Sequence, residues 1–308
     1  MCIRSTADSR HGKRQVFRLT QSKTKADLER ETLLAWQGSA PFWEKHRASV
    51  AAMFVPLTDA LIEDAKIRSG QSVLDIGGGA GEPSLTIAKV VGSTGSVTCT
   101  DPVPEMIAAA RREGQRQGIT NVRFEQCASD SLPFANDTFD AAVSRLSAMF
   151  FSDPLGGLSE ILRVVKPGGY VAFVVWAAPD LNPFFQVISD AVSRYIESPP
   201  PDPDAPGAFR FAEPGKLAAL LEHAGAVTVT ERALNFRIAA PLTLAEFWPV
   251  RVELSDTLRE KMAQLSPDQL TTVQREVQDT AQEFFQNDHM NFPGAARVVT
   301  GRKSNKGP

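Results

Sequence analysis

The 308-residue chain is poor in features that mark several large classes of protein. Its three cysteines form neither a CxxC pair nor a disulfide framework, and no His/Cys/Asp cluster suggests a metal site. The formal net charge of −3 argues against a nucleic-acid binder, which usually shows a basic excess or stripe. No apolar run approaches the length of a membrane-spanning helix or a signal-peptide core. We therefore expect a cytoplasmic globular protein with no membrane span, no metal and no nucleic-acid partner.

Strands alternate with helices from about residue 57 onwards. Apolar and β-branched runs predict seven strands, at residues 72–76, 96–101, 122–126, 139–144, 170–176, 227–236 and 296–301. Helical patterns separate the first five strands, and a longer helical block at 242–285 precedes the last one. This order predicts an α/β fold with a doubly wound, mainly parallel, seven-stranded sheet and right-handed crossovers.

The remaining segments are expected to cover the sheet. The first thirty residues are locally basic and lack apolar periodicity, which predicts a disordered tail. We divide the chain into that tail (1–30), an N-terminal helical cap (31–56), a cofactor-binding core domain (57–240), a helical insertion (241–292) and a last strand with its tail (293–308).

The segment from Asp75 to Gly81 reads as the end of a buried strand followed by a glycine-rich turn. Such a turn brings bare backbone up against a nucleotide-like ligand, because a Cβ would block close approach. A dinucleotide fingerprint, G-x-G-x-x-G, requires glycine where this chain has Glu82. A carboxylate at the start of a helix also repels a pyrophosphate. The loop thus favours S-adenosylmethionine over NAD.

Two acidic residues lie where such a ligand needs them. Asp101 ends the second strand, twenty residues after Gly81, and is well placed to accept hydrogen bonds from both ribose hydroxyls. The alternative is a turn residue, since Asp-Pro often starts a turn. Asp75 is expected to hold the methionine ammonium, directly or through water, or to cap the glycine turn.

Together these motifs resemble the class I S-adenosylmethionine-dependent methyltransferases, in particular the branch around the ubiquinone/menaquinone-biosynthesis methyltransferases. The resemblance covers residues 70–180 well and implies a Rossmann-like fold. The matching elements are Asp75–Gly81, Asp101 with Pro102 and Met106, Leu132-Pro133-Phe134 before Asp137–Asp140, and Val165–Gly169. In that family a short Asp-Ala segment meets the adenine. Here Ala128-Ser129 stands in its place with Asp130 next, so either Asp130 binds the adenine amino group in a shifted register or Ser129 and the backbone do.

The resemblance implies S-adenosylmethionine as the cofactor and no metal. The residues expected to hold the cofactor are Asp75, Gly77, Gly78, Gly79, Gly81, Asp101, Pro102, Met106, Ala128, Ser129, Asp130 and Arg145.

The acceptor is expected beside the carboxyl ends of strands four and five and under the two helical caps. The residues proposed for its pocket are Phe42, Trp43, Met149, Phe150, Trp176, Phe247, Trp248 and Arg251. Aromatic residues with this spacing also occur in cores. His46, close to Phe42 and Trp43, is the candidate catalytic base, with a surface histidine as the alternative.

We therefore expect a methyltransferase that moves a methyl group, by in-line displacement, to carbon or oxygen of an apolar, aromatic or polyketide-like small molecule. A non-catalytic S-adenosylmethionine-binding protein is one alternative, suggested by the altered adenine segment. An NAD-dependent oxidoreductase is another. Glu82 disfavours it, as does the lack of a Tyr-x-x-x-Lys pair, since Val174 and Pro199 stand four residues after Tyr170 and Tyr195. The chain is expected to be a monomer or a homodimer.

Overall fold

The computed structural model describes residues 25–197 and 202–305. The predicted tail lies outside these residues up to position 24, and residues 25–30 belong to the first helix instead. Within the described ranges the strands are β1 Ser72–Ile76, β2 Ser96–Asp101, β3 Val122–Gln126, β4 Phe139–Arg145, β5 Val165–Trp176, β6 Ala226–Ala240, β7 Phe285–Gln286 and β8 His289–Lys303.

The α-helices of the same residues number eleven. They are α1 Lys25–Lys45, α2 Arg47–Met53, α3 Val55–Asp64, α4 Ser84–Val91, α5 Pro104–Arg116, α6 Pro154–Val164, α7 Pro183–Ser193, α8 Lys216–His223, α9 Leu244–Glu253, α10 Asp256–Met262 and α11 Pro267–Ala281. None of the described helices has both the length and the apolar character needed to cross a bilayer.

The strands form one mixed sheet in the order β3-β2-β1-β4-β5-β8-β6. The first five in this order are parallel to their neighbours, and β8 is antiparallel to both β5 and β6. This confirms the doubly wound, mainly parallel sheet of seven strands, to which the two-residue β7 adds a short pair with β8. The middle of the sheet is buried because helices cover it: Val171 to Trp176 of β5 are all buried.

The N-terminal helices and the insertion meet each other above the sheet. Helix α1 packs against α5 and α10. The Trp43 indole Nε1 donates a hydrogen bond of 3.2 Å to the Leu254 carbonyl just after α9. Helices α9 and α11 begin at capping boxes formed by Thr243 with Glu246 and by Ser266 with Gln269. Two helices of the insertion thus have well-defined starts, and the insertion packs against the N-terminal helices.

Candidate active site

A cavity of about 560 Å³ opens at the carboxyl ends of β1, β2 and β4. This is the edge at which open α/β sheets bind ligands, and the volume falls in the range of small-molecule sites. One wall consists of the loops that follow these strands. The opposite wall comes from α1, α2 and Phe54, which separates α2 from α3. The N-terminal cap therefore closes over the sheet edge.

The glycine turn forms the part of the wall made by β1. Gly77 and Gly79 have left-handed backbone conformations, with φ of 67° and 53°. A Cβ on Gly77 would overlap the Ser147 side chain, whereas one on Gly79 would meet no atom within 4 Å. Gly81, with φ of 115°, is buried against Leu85 and does not line the cavity. The turn thus presents bare backbone through Gly77 and Gly79. Gly81 instead allows close packing against Leu85 at the start of α4.

Asp75 lies behind this turn and does not line the cavity. Its side chain is fully buried, and the Ser84 hydroxyl donates a hydrogen bond of 2.5 Å to its Oδ2. The other carboxyl oxygen, Oδ1, has no hydrogen-bond partner within residues 25–197 and 202–305. Burial raises the pKa of this carboxyl to about 7. Asp75 is bound to the first turn of α4, as expected for a residue that supports the glycine turn.

Asp101 lies on the cavity wall in a fixed orientation. The Gly79 amide donates a hydrogen bond of 3.0 Å to its Oδ2, and the Val103 amide donates one of 2.9 Å to its Oδ1. Burial raises the pKa of Asp101 to about 6, against the opposing effect of these two hydrogen bonds. The backbone thus holds both carboxyl oxygens in place at the cavity surface, with lone pairs left to accept further hydrogen bonds.

The loop after β3 continues this wall. Ala128, Ser129 and Asp130 all line the cavity, as do Pro102 and Met106 from the turn after β2. Both residues proposed for the adenine contact, Ser129 and Asp130, are therefore on the cavity wall. Gln126 and Cys127 also line it, and the sequence analysis did not single them out. Both residues come directly before the predicted segment Ala128–Asp130, and starting that segment two residues earlier would have included them.

Arg145 at the end of β4 brings a positive charge to the cavity. Its guanidinium donates hydrogen bonds to the Thr58 hydroxyl at 2.8 Å and to the Glu82 carbonyl at 2.9 Å. It lies 5.7 Å from the Phe54 ring centroid. It forms no ion pair with any residue in the described ranges, and burial lowers its pKa. Arg145 thus brings a positioned positive charge to the cavity wall, which the nearby carboxyls of Glu82 and Asp75 offset in part.

Only some of the predicted acceptor residues reach the cavity. Trp43 and Phe150 line it, and Trp36 contacts both rings edge-on, with centroids 5.5 and 5.1 Å apart. Trp36 was missed, although Trp36, Ala40 and Trp43 recur on one helical face. Other wall residues from this segment that the sequence analysis missed are Glu29, Arg30, Leu33, Arg47 and Phe54.

The other acceptor candidates lie elsewhere. Met149 and Trp176 are buried next to the cavity without lining it, and Phe42 lies under the guanidinium of Arg259. The structure also corrects the placement of Phe247, Trp248 and Arg251. These three are buried in the insertion because the apolar face of α9 packs on α7 and β8: Phe247 stacks on Phe292 at 5.1 Å.

His46 is another correction, since it lies outside the cavity wall. Its Nε2 is 2.5 Å from Oε2 of Glu253, and the Lys45 ammonium lies 2.7 Å from the same oxygen. His46 therefore links the N-terminal helices to α9 instead of facing a substrate. No cluster of metal-binding side chains occurs among the described residues.

Comparisons with known proteins agree with this geometry. Residues 74–173 match the methyltransferase domain family. A ubiquinone/menaquinone biosynthesis C-methyltransferase from Coxiella burnetii is 35% identical over 136 residues, which are 44% of this chain and 54% of that enzyme. The chain thus matches about half the length of this relative.

Solved structures show the same fold as this methyltransferase domain and its surroundings. The YcgJ protein of Bacillus subtilis is 22% identical with a TM-score of 0.52, over 81% of this chain and 98% of that one. A phosphoethanolamine N-methyltransferase of Haemonchus contortus, solved with S-adenosylhomocysteine, is 15% identical with a TM-score of 0.52. The alignment covers 92% of this chain and 61% of that one. The family resemblance seen in the sequence is confirmed, with S-adenosylmethionine as the cofactor of the class.

Proposed function

We propose that this protein transfers the methyl group of S-adenosylmethionine to carbon or oxygen of a small, largely apolar acceptor, aromatic or polyketide-like in character. The observation that carries the proposal is the single cavity with two unlike walls. Bare glycine backbone, Asp101 and Arg145 form the wall on the sheet side, and Trp36 with its neighbours forms the other. The first wall suits an adenosine with an amino-acid tail, and the second suits an apolar acceptor.

The residues present fit this cofactor. The open space at the Cα of Gly79 allows a ligand to approach the backbone. Asp101 would accept hydrogen bonds from the ribose hydroxyls, since its carboxylate is already oriented by two amides. Arg145, which makes no ion pair within the described ranges, would bind the carboxylate of the methionine end. Asp75, buried behind the turn, would add favourable negative charge near the ammonium.

When bound, the cofactor supplies a methyl group on a sulfonium, which a nucleophile displaces in line. The chain aligns the reactants and excludes water from them. Trp36 and Trp43 of the cap, together with Phe150 after β4, provide apolar contact area and ring faces that attract a cation. For an oxygen acceptor, the hydroxyl proton would pass to a carboxylate on the cavity wall. Glu29 and Glu82 lie there, and His46 does not.

Calorimetry with S-adenosylhomocysteine and with NAD tests the cofactor. We expect the first to bind and the second not to bind. Asp101→Asn should weaken S-adenosylhomocysteine binding by about 1.5–3 kcal/mol, the range for hydrogen bonds to a charged group. The matched control is Asp279→Asn at an exposed position of α11, which should leave binding unchanged. Saturation with NAD and not with S-adenosylhomocysteine would overturn the proposal.

Transfer itself is tested by incubating the protein and tritiated S-adenosylmethionine with a small-molecule metabolite extract. Label in an organic-soluble product is the expected result. Tight S-adenosylhomocysteine binding without any label transfer would instead favour a non-catalytic binding protein. The cytoplasmic location and the monomeric or homodimeric state stay predictions.

A further inference from the structure

Arg251 of α9 is a buried cation with no anionic partner. Its side chain is 7% exposed, and it forms neither a hydrogen bond nor an ion pair with any residue in the described ranges; its Nε is fully enclosed. The guanidinium lies over the ring faces of Phe184 and Phe185, with its central carbon 4.1 and 5.0 Å from their centroids. Burial without a counter-charge lowers its pKa to about 10.

Such an arrangement costs folding free energy. Removing a guanidinium from water is unfavourable unless an anion and hydrogen-bond acceptors replace the water. Two ring faces offset only part of this cost, since cation–π contacts are weaker than charge-assisted hydrogen bonds. A methionine of similar length would fill the same space without the cost of burying a charge. An arginine at this buried position is therefore best explained by an anion that arrives with a ligand.

The aromatic contacts of Phe185 point to where that ligand comes from. Phe185 contacts Trp176 at 4.9 Å between centroids, and Trp176 contacts Phe54 at 5.8 Å. Phe54 lines the cavity. A continuous series of ring contacts thus connects the cavity wall to Arg251. Trp176, Phe185 and Arg251 do not line the cavity, so an acceptor would reach the guanidinium only when the partly exposed Phe185 ring moves aside.

We propose that Arg251 anchors a carboxylate carried by the methyl acceptor, which makes the acceptor an aromatic acid whose ring packs along Phe54, Trp176 and Phe185. The inference rests on the proposed methyl transfer and narrows its substrate class. The planar fork of arginine suits two-point binding of a carboxylate, and the ring series suits an arene. Arg145 serves the cofactor, and Arg251 serves the acceptor.

The test is calorimetry on the protein saturated with S-adenosylhomocysteine. The probes are benzoate, phenylacetate, 3-phenylpropionate and cinnamate, each compared with its own carboxamide. At least one carboxylate should bind about tenfold or more tightly than its amide, as expected for a charge-assisted contact. In Arg251→Met this preference should fall to less than about twofold, and Arg251→Lys should retain part of it.

Two controls separate this role from a structural one. Arg275→Met, at an exposed position of α11, removes the same charge and should leave the preference intact. Arg251→Met should also unfold at a temperature no lower than the wild type, because it removes an uncompensated buried charge. A marked loss of stability with unchanged ligand preference would show that Arg251 only supports the fold.

The remaining outcomes are equally decisive. Equal binding of all carboxylates and amides, with normal S-adenosylhomocysteine affinity, would overturn this inference alone. Acetate or inorganic phosphate binding as tightly as the aryl acids, and lost in Arg251→Met, would show a general anion site and overturn the acceptor assignment. Failure to bind S-adenosylhomocysteine would overturn the proposed function and this inference together.

Discussion

Gly77 is the position at which a single methyl group should disturb the cavity most. The left-handed φ of 67° strains any other residue, and a Cβ would overlap the Ser147 side chain. Gly79 has a similar φ but open space around it. Comparing the same substitution at these two glycines therefore separates the effect of backbone strain from that of steric overlap.

We expect Gly77→Ala to destabilise the protein by about 1–3 kcal/mol, the range for a strained backbone position, and to weaken S-adenosylhomocysteine binding. Gly79→Ala should cost less stability, because it has strain without overlap. Chemical unfolding and calorimetry of both variants give the comparison. Adding Ser147→Gly to Gly77→Ala removes the overlapping side chain and should restore part of the loss, with Ser147→Gly alone as the control. Equal losses in both glycine variants would contradict this account.

The residues found from the sequence are those whose role depends on local spacing. Gly77, Gly79 and Asp101 were identified because a strand, a turn and the next strand place them within one unit of structure. Trp36 and Phe54 were missed because their role depends on how the N-terminal helices dock. His46 and Phe247 were assigned to the site for lack of that information, since an amphipathic pattern does not tell what a helix face covers.

At the scale of elements, Glu253 connects the two caps. Glu253 is the last residue of α9. Its carboxylate accepts a hydrogen bond from the Lys45 ammonium and contacts the His46 ring, and both partners lie beside the start of α2. The carboxylate keeps its charge because these neighbours lower its pKa. Since α1 and α2 carry one wall of the cavity, this contact helps to keep the cavity closed.

We expect Glu253→Ala to change the free energy of unfolding by less than about 1 kcal/mol, as for other partly exposed ion pairs. Hydrogen exchange in α1 should nevertheless become faster, and S-adenosylhomocysteine should dissociate faster, because the cap opens more often. Glu276→Ala, which breaks the exposed pair with Arg194 away from the cavity, is the control. Unchanged exchange in α1 would show that other contacts hold the cap.

Element types were predicted well and element lengths less well. The apolar runs located β1, β2 and β3 to the residue, since both ends of these strands meet turn residues. Strand β8 was expected at 296–301 and extends over His289–Lys303. Pro293 and Gly294 interrupt its sequence pattern, yet they pair with Arg237 and Phe236 on the long β6. A partner strand of fifteen residues set this length, which no local pattern shows.

At the scale of the whole molecule, two buried carboxyls make stability depend on pH. The pKa of Asp75 is raised to about 7 and that of Asp101 to about 6, both by burial. A carboxyl with a raised pKa in the folded state favours folding fully below its unfolded pKa of about 4, and this contribution is lost as pH rises through the folded value. The ligand-free protein should therefore lose stability between pH 4 and about pH 7.

Asp75→Asn should flatten this dependence, because an amide does not ionise. In the wild type the loss from Asp75 alone approaches about 1 kcal/mol per pH unit within this window. Urea unfolding at pH 5, 6, 7 and 8, without ligand, measures both proteins. Asp140→Asn is the control, since the pKa of that carboxyl is lowered and it stays ionised throughout. Parallel curves for wild type and Asp75→Asn would contradict the assignment.

The position of β8 has a consequence for how the chain is made. Residues 289–303 lie between β5 and β6, so one edge of β5 and the facing edge of β6 stay unpaired until this later segment has been synthesised. During synthesis, two long strand edges stay open to pairing with other nascent chains. We infer that the yield of native protein depends on how quickly strand β8 becomes available to pair, and that slow translation of this stretch would favour aggregation.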